Sequence, residues 1–314
     1  MIRNRALHPL ILLLLTLLVA VSPLAAEKAA DNAAAKPWPR VLLITAHPDD
    51  DALFGGSVYK VTHVLGGVVD IAVVTNGEAG FHYSDLAVPI YHLDLTDEQT
   101  ARQYLPGIRK REMMAGGAIV GIRNFYFFDQ KDEKNTTDLK ESIGSWDADL
   151  VRRRLKEILS GDAYDFVFVM LPTATTHGGH QGAALLGLEV VSQLPAGHRP
   201  VVLAGAGYKK GKPPVAFTGR DELPLTKIRP GAPVFEFDRT QKFGYNNRLD
   251  YSLVVNWQIA EHKTQGLMQY NMNGLDVEQY FYLDFNGDAG LPAAKMLFDK
   301  LAQPASPDAR ANRK

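Results

Sequence analysis

Between residues 41 and 204, short apolar runs alternate with amphipathic stretches, and that alternation limits the chain to very few folds. Residues 41–45, 68–75, 124–128, 166–171 and 201–204 read as strands, each a near-continuous apolar run of the kind that is buried on both faces. Residues 51–65, 100–120, 147–159 and 181–191 read as helices, the first closed by Gly66-Gly67 and the second broken or frayed near Pro106-Gly107. The stretch 76–96 has no clear period and reads as a long loop. Strand–helix alternation predicts an α/β fold: a Rossmann-like parallel sheet flanked by helices on both faces. Residues 205–288 are less regular and rich in aromatic residues. They read as an irregular, β-rich C-terminal part with hairpin-like material on the sheet edge, then a helix over about 253–267.

The termini carry a different pattern. Arg3 and Arg5 precede the apolar stretch 10–21, and Pro23 and Ala25-Ala26 follow. A basic start, an apolar middle and a small-residue cleavage zone are the layout of a secretory signal peptide. Residues 1–26 are therefore expected to be a signal peptide, 27–39 a lead, 40–303 one domain and 304–314 a flexible tail. The apolar middle is short for a membrane span, so no stable span is expected after cleavage, and a periplasmic or secreted location is. There is no cysteine, which excludes disulfides, thiolate ligands and a cysteine nucleophile. The net charge of −1 gives no broad electrostatic capture of nucleic acid, and no nucleic-acid partner is expected.

The first strand runs straight into Ala46-His47-Pro48-Asp49-Asp50-Asp51. One Asp at a helix start caps it and favours the positive end of the dipole. Three in a row after His-Pro exceed what one cap needs, and buried charge is costly unless a cation uses it. His177 and His180 follow the fourth strand. In open parallel sheets, sites form beyond the carboxyl ends of the strands, so the two clusters can share one crevice. A hydrolytic zinc site needs about three protein ligands and an open position for water. His47, Asp50 and His180 supply two imidazoles and a carboxylate. Asp49 is the candidate general base, and His177 the candidate to support the oxyanion or protonate the leaving amine. The same donor set also suits Fe2+.

These residues resemble a known family. Ala46-His47-Pro48-Asp49-Asp50-Asp51 is similar to the Ala-His-Pro-Asp-Asp-Glu signature of the PIG-L/LmbE-like de-N-acetylases. Thr75-Asn76-Gly77-Glu78 resembles that family's turn after the second strand. Arg109-Lys110-Arg111-Glu112 resembles its Arg-x-x-Glu helix, His177-Gly178-Gly179-His180 its His-x-x-His element, and His262-Lys263-Thr264-Gln265 its late His-x-Ser/Thr-Gln. The resemblance implies His47, Asp50 and His180 on zinc, Asp49 as base and His177 as acid or oxyanion support. It also implies Arg109 and Asp132 as substrate-binding residues, with Asp51, Glu78, His262 and Gln265 behind them. Local alternatives exist for several: an ion pair of Arg109 with Glu112, a solvated loop carboxylate at Asp132, a plain turn residue at Glu78.

Two positions depart from the family pattern. Asp51 stands where Glu is usual, and Gly179 where many members have Asp, a carboxylate that would tune the adjacent imidazole. The implied activity is zinc-dependent hydrolysis of the N-acetyl group of an amino sugar or amino-sugar conjugate, a small molecule or a glycan. The competing readings are a zinc amidase acting on a non-sugar amide, and an exported carbohydrate- or metal-binding protein without catalysis.

Overall fold

In the computed structural model, residues 38–266, 269 and 274–304 are described. The expected signal peptide, residues 27–37 and residues 305–314 lie outside them. Among the described residues no helix is long and apolar enough to cross a membrane.

Among the described residues nine strands form: β1 Arg40–Thr45, β2 Val68–Thr75, β3 Ile122–Gln130, β4 Phe166–Met170, β5 Val201–Tyr208, β6 Phe235–Asp238, β7 Lys242–Phe243, β8 Leu249–Asp250 and β9 Val277–Tyr282. Seven make one sheet in the order β3-β2-β1-β4-β5-β9-β6, and β7 and β8 pair apart from it. The first five are parallel; β9 runs antiparallel to β5 and to β6. The sheet is thus mixed rather than wholly parallel, and its antiparallel edge is the β-rich C-terminal part. The helices are α1 Gly55–His63, α2 Val88–Tyr91, α3 Glu98–Val120, α4 Leu139–Ile143, α5 Ala148–Gly161, α6 Gly178–Ser192, α7 Tyr251–Glu261 and α8 Leu291–Ala302.

The period of two along each strand divides the core. Val41, Leu43, Val69 and Ile71 face one layer with α1, α3 and α8, while Leu42, Ile44, Ala72 and Val74 face the other with α5 and α6. Burying each such side chain contributes about 1.5–3 kcal/mol, so both faces must be covered.

Four local expectations change. Helix α3 runs unbroken through Pro106, because Leu105, Ile108 and Met113 are buried along one face and that packing offsets the roughly 3 kcal/mol cost of an interior proline. The stretch 76–96 holds 3-10 turns and the one-turn α2. Helix α6 starts three residues earlier than its apolar pattern, which places His180 inside its first turn. The helix expected over 253–267 is α7, which ends at Glu261, with a separate 3-10 turn at Lys263–Gln265; residue 267 lies outside the described residues.

What positions the site is the strand order. The chain builds β2 and β3 on one side of β1, and β4 and β5 on the other. The adjacent strands β1 and β4 therefore form the topological switch point, and the loops after both leave the same end of the sheet.

Candidate metal centre

Strand β1 ends at Thr45, and the chain turns sharply through His47-Pro48 into a 3-10 turn, Asp50–Phe54, that leads into α1. Asp50 stabilises this turn itself: its Oδ2 accepts the backbone N–H of Ala46 at 2.9 Å and of His47 at 2.8 Å. Its Oδ1 is left facing two imidazoles, His180 Nε2 at 3.0 Å and His47 Nδ1 at 3.6 Å. His180 is oriented from behind by Thr176, whose Oγ1 lies 3.2 Å from Nδ1. Thus His47 and His180, more than 120 positions apart in the chain, both face the Asp50 carboxylate.

Asp49 occupies the cap position of the turn but makes no side-chain cap bond. Its Oδ1 instead pairs with Arg109 Nη2 at 2.9 Å. Arg109 also donates to the carbonyl of Gly77. Gly77 sits at φ +68°, and a Cβ there would collide with the guanidinium, so glycine is required on both counts. The expected alternative, an Arg109–Glu112 pair, is not formed; Glu112 accepts from Thr264 Oγ1 at 2.6 Å and Tyr91 OH at 2.7 Å.

His177 is the N-cap of α6. Its Nδ1 accepts the Gly179 N–H at 3.1 Å, and its Nε2 faces the Lys134 carbonyl at 3.2 Å. An Nδ1 that accepts leaves the proton on Nε2. Burial, then the charges of His47 and His180, pull its pKa down to about 4. Near neutral pH it is an uncharged N–H donor.

Asp132 is not a solvated loop carboxylate. It is 7% exposed, and its Oδ2 lies 3.6 Å from His47 Nε2. Burial acts to raise its pKa, but His47 above all holds it below the usual carboxylate range. For His47, burial opposes the charged form, yet Asp132 and Asp50 outweigh it and push the imidazole up to about 10. Asp51 is sealed, accepting from Gln258 Nε2 at 2.7 Å and facing His262 Nε2 at 3.3 Å. Gln265 reaches the pocket wall. Glu78 is buried, but it does not line the pocket.

Asp49, Asp50, Asp51 and Asp132 are all at most 7% exposed, and among the described residues Arg109 is the one arginine or lysine that ion-pairs with any of their carboxylates. Such a surplus of buried negative charge calls for further positive charge, from protonated imidazoles or from a metal. Among the described residues two clusters have the spacing to hold an ion: His47, His177 and His180, and His47, Asp49 and Asp50; the expected set of His47, Asp50 and His180 draws on both and is neither. They share His47 and open on a cavity of about 280 Å³.

The cavity wall contains residues that no sequence motif singles out. Tyr83 and Asn135 meet across it at 3.2 Å, and Leu53, Met170 and Leu275 supply an apolar side. No local pattern marks them, since each is an ordinary loop or strand-end residue until the chain is folded.

An open α/β sheet with buried histidines and carboxylates beyond its strand ends describes a class of site-bearing protein. Residues 42–191, which run from within β1 nearly to the end of α6, match the PIG-L family, described as GlcNAc-PI de-N-acetylase. Comparison with curated protein sequences gives no match. Among solved structures, N,N'-diacetylchitobiose deacetylase from Pyrococcus horikoshii, complexed with its inhibitor MPG, is 22% identical, with 59% of this chain and 70% of that chain covered and a TM-score of 0.39. A zinc-inhibited form of teicoplanin deacetylase Orf2 is 15% identical, with 78% and 97% covered and a TM-score of 0.48. GalB, the 4-carboxy-2-hydroxymuconate hydratase from Pseudomonas putida KT2440, is 15% identical, with 77% and 95% covered and a TM-score of 0.47.

Proposed function

We propose that this protein is a metal-dependent hydrolase that removes the N-acetyl group from an amino sugar or an amino-sugar conjugate. One observation carries the reading: His180 Nε2 and His47 Nδ1 both face Asp50 Oδ1, at 3.0 and 3.6 Å. With ligand bonds of about 2.0–2.2 Å in a tetrahedral site, neighbouring donor atoms stand roughly 3.4 Å apart. The donor set fits zinc, and also iron(II). The family match, described as GlcNAc-PI de-N-acetylase, supports an acetylated amino sugar as the substrate class.

His47, Asp50 and His180 would hold the ion. A divalent ion there supplies Lewis-acid polarisation of the amide carbonyl and brings the pKa of water toward neutrality. The chain's own groups do the rest. Asp49, held in the pocket wall by Arg109, takes the proton of the attacking water. His177 stabilises the oxyanion with its Nε2–H once that proton leaves the Lys134 carbonyl; its low pKa suits this donor role better than that of a charged acid. Asp51, backed by Gln258 and His262, supports the turn that carries Asp49 and Asp50.

The apolar wall of Leu53, Met170 and Leu275 keeps a non-sugar amide as the second reading. Metal content, with amine release from N-acetylglucosamine oligomers and from simple acylated amines, separates the two. Asp49→Asn is expected to keep its metal and lose about 100-fold or more in kcat, and His180→Ala to lose the metal. Parent-like turnover by Asp49→Asn sinks the base assignment. Bound metal with no amine released from any substrate supports a binding protein instead.

We also propose export, from the basic, apolar and small-residue pattern of residues 1–26. Terminal sequencing of the mature protein tests it: a chain that still begins at Met1 refutes cleavage.

A further inference from the structure

We infer that Asp132 is a positioning residue for His47, taking the ring N–H on the side away from the metal and so setting how that imidazole meets the ion. This rests on the metal-site reading above and adds a residue to it.

The loop after β3 carries Lys131, Asp132, Glu133 and Lys134, and only Asp132 is turned inward and buried. It places one carboxylate oxygen 3.6 Å from His47 Nε2. Across the same ring, Nδ1 stands 3.6 Å from Asp50 Oδ1. The imidazole therefore lies between two carboxylates. They are not equivalent, because Asp50 Oδ1 is shared with His180 Nε2 at 3.0 Å. An ion held jointly by Asp50, His180 and His47 would take the Nδ1 lone pair, the nitrogen that faces Asp50 Oδ1. An imidazole that gives its Nδ1 lone pair to a cation carries its proton on Nε2. That nitrogen is buried and has no hydrogen-bond partner. A metal-binding histidine almost always donates its other N–H to a carboxylate, a carbonyl or a water. The Asp132 carboxylate faces it from about half an ångström beyond hydrogen-bond reach, a gap that a small turn of the carboxylate would close.

The other side of the ring explains why the carboxylate comes from this loop. A Cβ at Gly179 would stand 2.9 Å from His47 Nε2 and 2.9 Å from His177 Nδ1. No side chain fits at position 179 while both rings stay where they are, so an acidic residue there is shut out. Asp132 approaches the same nitrogen from the loop after β3.

Asp132 also lines the cavity, so loss of activity alone would not separate positioning from substrate contact; metal affinity does. The full chain, stripped of metal, is titrated with Zn2+ against a chromogenic chelator, as parent and as Asp132→Asn. Positioning predicts about 10–100-fold weaker zinc binding in the variant, with KM at saturating zinc within about twofold of the parent. Zinc affinity within about twofold of the parent, together with a raised KM, overturns the inference and makes Asp132 a substrate contact. Should Asp132→Asn fail to melt cooperatively, Asp132→Ser, too short to reach His47, is expected to show the same loss, and unchanged affinity there overturns it equally. A parent that binds zinc but deacetylates nothing defeats the proposed activity and leaves the affinity ratio to judge Asp132. A parent that binds no divalent ion defeats both.

Discussion

Arg109 and Asp49 form an ion pair inside the pocket wall, Nη2 to Oδ1 2.9 Å, with 2% and 7% of their side chains exposed. The pair joins the middle of α3 to the turn after β1. It gives a buried carboxylate a counter-charge and holds it in the cavity wall.

Removing one partner of a buried pair leaves the other charge uncompensated, at a cost of about 3–5 kcal/mol. Arg109→Met is expected to lower the melting temperature and to reduce kcat more than it raises KM, because the base is misplaced while the cavity persists. Arg109→Lys keeps the charge but loses the fork that spans Asp49 and the Gly77 carbonyl, so it should fall between. Thermal melts and steady-state kinetics on the three proteins check this; an Arg109→Met protein as stable and active as the parent refutes it.

Gly179→Ala puts a methyl group where His47 and His177 already stand, 2.9 Å from each ring. Both rings are fixed, His47 by burial and His177 by its cap bond, so the strain cannot be shed cheaply. The expected result is weaker zinc binding, by about tenfold or more if the displacement disturbs the ligands as outer-shell mutations do, with little change in far-ultraviolet circular dichroism. Chelator competition is the measurement, and parent-like affinity would show that the rings can give way.

Lys60 is almost sealed, and its Nζ donates to Gln241 Oε1 at 2.7 Å, the Leu301 carbonyl at 2.7 Å and the Gln303 carbonyl at 2.6 Å. Burial pulls the ammonium down to about 8, against about 10.4 in an unfolded chain. Between those values the unfolded chain binds more protons than the folded one. The penalty this group places on folding is therefore full below about pH 8 and is relieved as the pH rises toward about 10.4, by at most about 1.4 kcal/mol per unit; the three acceptors work against burial and narrow that window. Lys60→Met lacks the titration. Its stability relative to the parent should decline between about pH 8 and about pH 10 in denaturant melts, and a difference that stays level across that window contradicts the assignment.

Much of the site was legible in one dimension because its parts are local. His47, Asp49 and Asp50 sit within four residues on one turn, and an apolar run before them marks the strand end. His177 and His180 share one helical start. What stayed hidden depends on distant partners. Strand β9 reads Val-Glu-Gln-Tyr-Phe-Tyr and is buried along its whole length, polar residues included. Its Glu278 accepts from the Gly56 N–H and from Arg239 Nε, both at 2.8 Å, and so anchors the start of α1 behind the metal-bearing turn. Nothing near Glu278 in the chain announces that role. Pro106 misleads in the opposite direction: the local rule breaks the helix, and packing along α3 keeps it whole.

The order of strands and helices, the carboxylates crowded at a strand end and the family signature follow from the amino-acid pattern alone, because side-chain periodicity and turn chemistry act over a few residues. The pairing of β1 with β4, the partner of Arg109, the inward turn of Asp132 and the antiparallel edge were decided only in three dimensions. The two strand pairings depend on which apolar faces and backbone edges meet, the other two on which buried charge finds which counter-charge, and burial and Coulomb attraction act through space, without regard to distance along the chain.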